Sequence, residues 1–376
     1  MSWRLPLADV RLGEPVIEAA MEALRSNWLT MGPRTAELET DFAVATGGAH
    51  AVAVSSGTAG LHLACLAAGV GEGDEVIVPA LGFVADAHAP HWCGGRAVFA
   101  DIASERLPLL DLEAIEPLLS ARTKAVLAIH MYGYPLELGG LRELCDARGI
   151  ALIEDCCESV GATFADGSSV GTAGGAGVFS FFAKTQLPVG EGGIVVCAEE
   201  ADAARIRLLR SHAMTSVTWD RHRGHAETYD ITDLGFNYRL DEPRAAMAAA
   251  HLRELEGKLE GLRGTVAAYR ERLAGLEGVT VPFEDERAAR AGHFAFPVLL
   301  ADAETRDRVR ATLAGRGVQT TFYPAITTLS LYRAAGREHP CPRAEDFAAR
   351  HLAMPLSTSM GPGEVELACD ELAAAL

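Results

Sequence analysis

A chain of 376 residues exceeds the size at which one hydrophobic core stops growing, so a large domain with a smaller companion is expected. Its formal net charge of -18 argues against nucleic acid or an anionic membrane surface as a partner and leaves anionic ligands to be met by local groups. No apolar run is long enough to span a bilayer, and the start at Met1 lacks the pattern of a secretory leader, so a cytoplasmic protein is expected.

The eight cysteines are scattered, with Cys65 and Cys197 inside apolar runs, and read as small hydrophobes. The His88 to Cys93 stretch has no second Cys or His group at zinc spacing, so no metal site is expected.

In chain order, an amphipathic stretch from Glu14 to Ser26 predicts a helix. A turn-rich break over Asn27 to Pro33 follows, and then a second helix from Thr35. Ala51 to Val54 reads as a short strand, followed at once by Ser55-Ser56-Gly57-Thr58 and an Ala/Leu-rich helix to about Ala68. A strand, a Ser-Gly-Thr turn and a helix start bring backbone N–H groups, hydroxyls and the positive dipole end to one point. That suits an anion such as phosphate, although a simple Ser/Thr cap explains the residues as well.

Further buried strands are expected at Glu75 to Val78, Ala97 to Ala100, Ala125 to Ile129, Ala151 to Glu154, Gly177 to Phe181 and Gly193 to Val196. A helix carrying Phe83, Asp86 and His88 separates the first two. Short apolar runs alternating with helical patterns indicate a mostly parallel sheet covered on both faces, whose ligands gather beyond the carboxyl ends of the strands. Those ends carry Gly57, Thr58, Phe83, His130, Asp155 and Ser180. Asp155, leaving a buried strand, needs a partner, which a helix cap, an arginine or a protonated heteroaromatic nitrogen would supply.

From Glu242 to about Leu276 one or two long helices lead out of the large domain. A strand over His293 to Leu300, a helix over Thr305 to Ala314 and a last helix from Gly363 then make a small α+β domain. The expected division is 1–245 and 246–376.

Among 33 basic residues only three are lysines, Lys124, Lys184 and Lys258. Lys124 stands at the foot of a strand, and Lys258 among charged residues on a helix that reads as solvated. Lys184 lies between the aromatic strand of Phe179, Phe181 and Phe182 and the turn Gly190-Glu191-Gly192-Gly193. Apolar surroundings lower a lysine's pKa and free its amine to form a Schiff base with a carbonyl.

Taken in order, Leu29 to Pro33, His50 to Ala59, Gly73 to Pro79, Arg122 to Ala125, Ile153 to Asp155, Phe179 to Phe181, Gly190 to Gly193 and Asn237 to Arg239 resemble the nucleotide-sugar aminotransferases of the DegT/StrS family, over nearly the whole chain. The resemblance implies a fold-type I pyridoxal-phosphate enzyme with a mostly parallel seven-stranded sheet. It implies amino transfer from an amino acid, glutamate being expected, to a nucleotide-linked keto-sugar. It further implies that Gly57, Thr58 and Ser180 hold the cofactor phosphate, with Asn237 reaching it from the partner of a homodimer with shared sites. Phe83 would stack on the pyridine, Asp155 would pair with its protonated nitrogen, and Glu158 would lie near the ring hydroxyl, where the family more often has Gln or His.

One position departs from the pattern. The family's Schiff-base lysine stands five residues after the serine of Phe179-Ser180-Phe181, and that position here is Thr185, with Lys184 one earlier. Three readings follow. A shifted loop lets Lys184 bond the cofactor; the chain is a lysine-less, dehydratase-like lyase; or it is an inactive or regulatory homologue. The sugar, its carbon and the stereochemistry depend on the loops 219–225 and 323–328.

Overall fold

The computed structural model describes residues 3–216, 218–224 and 227–376, so His225, at the end of the loop 219–225, lies outside the described residues. Seven strands form the main sheet: β1 His50–Val54, β2 Glu75–Pro79, β3 Arg96–Ala100, β4 Thr123–Ile129, β5 Ala151–Asp155, β6 Ala176–Ser180 and β7 Gly193–Cys197. Their spatial order is β1-β7-β6-β5-β4-β2-β3. β7 runs antiparallel to both neighbours, and the remaining pairs are parallel. β2, β6 and β7 are buried at every position, as continuous apolar runs require when helices cover both faces.

The connections are helical, among them Gly57–Ala67 after β1, Val84–Trp92 between β2 and β3, and Gly139–Arg148 before β5. Consequently the carboxyl ends of β1, β2, β4, β5 and β6 open along one edge of the sheet. The antiparallel β7 enters from that same edge, and its first residue, Gly193, presses on the start of the helix Gly57–Ala67. A Cβ at Gly193 would lie 2.8 Å from the Gly57 nitrogen and 2.7 Å from the Phe179 carbonyl oxygen, so only glycine lets turn, strand and helix meet there.

A second, smaller core gathers around β8 Phe296–Leu299 and β9 His351–Met354, an antiparallel pair. Leu262, Val266, Tyr269, Leu273, Leu313 and Leu372 fill it, with Tyr269 stacked on Phe296 at 4.6 Å. Two details differ from the expected division at 245/246. Leu5 belongs to this second core, its N–H donating to the Gly317 carbonyl at 3.0 Å. The first half of the exit helix, Glu242–Arg253, instead packs its Ala248 and Ala249 into the large core.

The start of the helix Pro33–Thr46 is held from a distance by Glu242. This buried carboxylate accepts from the N–H groups of Gly32, Arg34 and Thr35 at 2.8, 2.8 and 2.9 Å and from the Thr35 hydroxyl at 2.8 Å. Pro33 and Gly32 provide no side-chain cap, and a carboxylate at a helix start also meets the positive end of the dipole. The turn read between Asn27 and Pro33 is thereby tied to the helix that leaves the large domain. No described helix is long and apolar enough to cross a membrane.

Candidate active site

A cleft of about 350 Å³ opens at the carboxyl ends of the strands, within the size range of small-molecule sites. The sequence reading placed Gly57, Thr58, Phe83, Asp155, Glu158, Ser180, Lys184 and Thr185 in a site, and the structure brings all eight to the wall of this cleft. Asn237 does not line it. It lies exposed, beside Ser211 through an isolated strand bridge.

The floor at the end of β1 is built for an anion. Ser56 caps the helix Gly57–Ala67, its hydroxyl accepting from Ala59 N–H at 3.1 Å, while the Gly60 N–H takes the Ser56 carbonyl at 3.1 Å. The N–H groups of Gly57 and Thr58 have no acceptor among the described residues and stand at the positive end of the helix. Gly57 leaves a hollow that a side chain would fill, for a Cβ there would sit 2.5 Å from Cys157 Sγ and 3.1 Å from Ser180 Cβ.

The middle of the cleft holds carboxyls. Asp155, buried at the end of β5, accepts from Cys157 N–H at 2.8 Å through Oδ1. Glu158 accepts from Tyr132 N–H at 2.6 Å. Burial, offset by that N–H and reinforced by the charge of Asp155, pushes the Glu158 carboxyl up to about 8, with Lys184 acting in the opposite sense. Behind Asp155 lies Asp86, fully buried and with neither oxygen meeting a hydrogen-bond donor. Phe83, 63% exposed, lines the cleft and makes no ring contact among the described residues.

The loop after β6 decides which way the amine points. Thr185 turns its hydroxyl back to the Phe182 carbonyl at 2.9 Å, and its own N–H donates to the same oxygen at 2.9 Å. Gln186 is pinned by its amide, which donates to the carbonyls of Glu158 and Gly292 at 2.9 and 2.8 Å. Held at both positions, the loop sends Lys184 inward. Its Nζ donates to the Tyr323 hydroxyl at 3.3 Å and lies 4.8 Å from the centre of the Phe294 ring. Burial lowers the Lys184 pKa, partly countered by Glu158 opposite.

Of the three lysines, Lys184 alone lines the cleft. Lys258, expected on a solvated helix face, is instead largely covered. It donates to His251 Nδ1 and lines a small cavity of about 50 Å³ behind Lys184. The helical pattern around it reads as solvated because the covering segment near Pro188, whose carbonyl accepts from His251 Nε2 at 2.9 Å, is remote in sequence. Sequence reasoning also missed Tyr323 and Phe294 as walls of the amine pocket, and Asp86 as a neighbour of Asp155. Tyr323 was noted only for its loop.

A sequence profile described as the DegT/DnrJ/EryC1/StrS aminotransferase family matches residues 11–373. The chain belongs to that family. It is a family of sugar aminotransferases of the pyridoxal-phosphate class. Among solved structures, the aminotransferase TlmJ from Streptoalloteichus hindustanus is 33% identical, with a TM-score of 0.90 over 99% of this chain and 98% of that one. DesV from S. venezuelae, solved in complex with a ketimine intermediate, is 31% identical, with a TM-score of 0.89 over 99% and 98%. DesI, solved in the presence of its TDP-sugar product, is 33% identical, with a TM-score of 0.87 over 99% and 92%.

The residues of this family member fit the family's cofactor. The hollow at Gly57 and the open N–H groups suit a phosphate, the uncovered Phe83 suits a flat ring, and the buried carboxyls suit a cationic ring nitrogen.

Proposed function

We propose that the cleft binds pyridoxal 5'-phosphate and moves an amino group from an amino acid, glutamate in the first instance, to a nucleotide-linked keto-sugar. The observation that carries this reading is the single amine of Lys184, held inside a cleft whose carboxyls are short of cationic partners. The nucleotide-linked acceptor is supported by the likeness to DesI.

In this reading the N–H groups of Gly57 and Thr58 and the hydroxyl of Ser180 hold the phosphate, and Phe83 covers the ring. Asp155 faces the ring nitrogen and keeps it protonated, and Glu158 stands by the ring hydroxyl. When bound, the cofactor supplies an electron sink for the carbon that bears the amino group. Nζ of Lys184 would be the amine that holds the cofactor's aldehyde carbon, with loss of water, and, once freed by the substrate amine, would carry the proton from the substrate carbon across the nitrogen to that former aldehyde carbon. Its burial favours the neutral amine that both tasks need. Asn237, absent from this chain's own cleft, reaches the phosphate of a second copy in a homodimer with shared sites, and the enzyme works in the cytoplasm.

The turned-back hydroxyl of Thr185 favours the shifted-loop reading over a lysine-less lyase or an inactive homologue, since the inward position belongs to an amine. The test is to load the protein with pyridoxal phosphate, reduce it with borohydride and locate the adduct by mass spectrometry. A label on Lys184, together with release of 2-oxoglutarate from glutamate, is the expected result. A protein that binds the cofactor and carries no adduct would return the lyase reading to the front.

A further inference from the structure

Asp86 has no role in the reading above, yet it is a fully buried carboxyl with neither oxygen hydrogen-bonded among the described residues. It sits in the first turn of the helix Val84–Trp92, is 0% exposed and lines no part of the cleft. Neither of its oxygens meets an N–H or O–H donor. The titratable groups that act on it are Asp155 and Glu158 beyond the end of β5. It acts in turn on Cys157 in that segment and on Cys65 of the helix Gly57–Ala67. No cation is among them. An ionised carboxylate in such a place is prohibitively costly, so the group is a carboxylic acid. Burial, then the charge of Asp155, then contact with the Asp155 carboxylate all push it well above the ordinary carboxyl range.

An acid facing a carboxylate has one use for its proton. Asp155 Oδ1 already accepts from Cys157 N–H, and Asp86 stands beside it at the end of β4: a Cβ at Gly82 would lie 3.4 Å from Asp86 Oδ2 and 2.3 Å from Cδ1 of Ile129, the register partner of Asp155. We propose that Asp86 and Asp155 form an acid–carboxylate pair sharing one proton, in which Asp86 is a positioning residue that donates O–H to Asp155 and aims its remaining lone pair at the ring nitrogen of the cofactor. The proposal rests on the reading that pyridoxal phosphate occupies the cleft.

The charges then close. Asp86 is neutral, Asp155 carries one negative charge, and the ring nitrogen, protonated from solvent as the cofactor enters, carries one positive charge. The buried group of three is neutral. With both aspartates ionised it would carry an excess negative charge with no partner within the protein. Asp86 keeps its proton throughout and no bond to carbon changes.

The pair is tested on the protein with three readouts that need no turnover. The first is the infrared band of a protonated carboxyl in the cofactor-free protein at neutral pH, compared between wild type and Asp86→Asn. The second is the dissociation constant for pyridoxal phosphate. The third is the ¹⁵N resonance of cofactor labelled at the ring nitrogen. In Asp86→Asn the amide N–H replaces the acid O–H, so cofactor binding stays within about three-fold of wild type while one protonated-carboxyl band disappears. In Asp86→Ala the donor is lost, binding weakens by about ten-fold or more, and the ring nitrogen gives up its proton at lower pH. Thermal unfolding of each cofactor-free variant reports whether it folds, and if Asp86→Ala does not, the infrared comparison with Asp86→Asn still decides.

The proposal is overturned if the Asp86→Asn difference spectrum contains no protonated-carboxyl band, or if Asp86→Ala binds the cofactor with unchanged affinity and an unchanged ¹⁵N shift. Either result leaves the cofactor assignment standing. Failure of the wild-type protein to bind pyridoxal phosphate at all would strike that assignment instead.

Discussion

The amino end of the central sheet and the cleft at its other end treat buried carboxyls in opposite ways. At the amino end Glu75, first residue of β2 and 2% exposed, accepts from Arg96 at 2.8 Å, from Arg122 Nε at 2.9 Å and from the Ser120 hydroxyl at 2.6 Å. Its burial works to raise the pKa, but the hydrogen bonds from Ser120, Arg96 and Arg122 outweigh it and bring the carboxyl down to about 2. In and behind the cleft Asp155 and Glu158 receive one backbone N–H each, Asp86 receives none, and no arginine contacts them among the described residues. A carboxylate with a full set of donors ties strands together. Carboxyls left short of donors mark the place where a cationic group from outside the chain completes the structure.

The largest test of this contrast is removal of the one amine at the carboxyl end. Lys184→Ala is expected to lower the transamination rate by about 10⁴-fold or more, since covalent attachment and proton transfer are both lost. Borohydride should then leave no adduct. Stability of the cofactor-free protein should stay within about 0.5 kcal/mol, because the amine's one hydrogen bond is the long contact to Tyr323. Retention of activity would mean that the carboxyl end does not depend on its only lysine.

The contrast becomes sharper when pH is varied. Glu158 has a folded-state pKa of about 8 against an ordinary value of 4.5, so the folded state holds the proton more tightly. Its contribution is fully present below pH 4.5 and is lost as pH rises through 8. Glu75, at about 2, contributes stability above pH 4.5 that is lost as pH falls through 2. Urea unfolding of the cofactor-free protein should show Glu158→Gln flattening the profile between pH 5 and 8, by up to a few kcal/mol. Glu75→Gln should flatten only the acid limb. Equal slopes in both variants would erase the distinction between the two ends.

A third measurement separates architecture from binding. Glu75→Ala is expected to cost about 2–3 kcal/mol of folding stability, as the hydrogen bonds to a charged group that join the feet of β2, β3 and β4 disappear. The dissociation constant for pyridoxal phosphate should be unchanged, because the cleft lies at the far ends of those strands. A shift in cofactor affinity without loss of stability would contradict the division of roles.

Much of this arrangement could be read from the residues in order. The buried strands announce themselves as short apolar runs, and Gly57, Thr58, Asp155 and Ser180 follow from where those runs end. What could not be read are directions and long-range partners. Glu75, Arg96 and Arg122 lie 21 and 47 residues apart and meet only because β2, β3 and β4 start in register. Asp86 fits the pattern of a helix's first turn, and nothing local says that Asp155 faces it. Lys258 looks solvated until the fold sets it against His251, whose ring is held by the Pro188 carbonyl. The orientation of Lys184 against Thr185 was open for the same reason. Adjacent side chains in a loop point apart, and which one turns inward is set by Gln186 reaching the carbonyls of Glu158 and Gly292.

That last choice gives the smallest predicted effect and the most specific. If Thr185 belonged to the carboxyl end's chemistry, losing its hydroxyl would impair catalysis as severely as losing the amine. Its hydroxyl is already spent on the Phe182 carbonyl, so Thr185→Ala should cost about 1 kcal/mol of stability and only a few-fold in kcat. The adduct should stay on Lys184. The double change Lys184→Thr with Thr185→Lys, which restores the family's spacing, puts the same question from the other side. With Gln186 still pinned, the lysine at 185 points toward the Phe182 carbonyl and away from Tyr323, and the adduct should be lost. Recovery of a labelled lysine at 185 would show that the loop rotates to follow the amine, and that the direction seen here is set by the lysine itself and not by its neighbours.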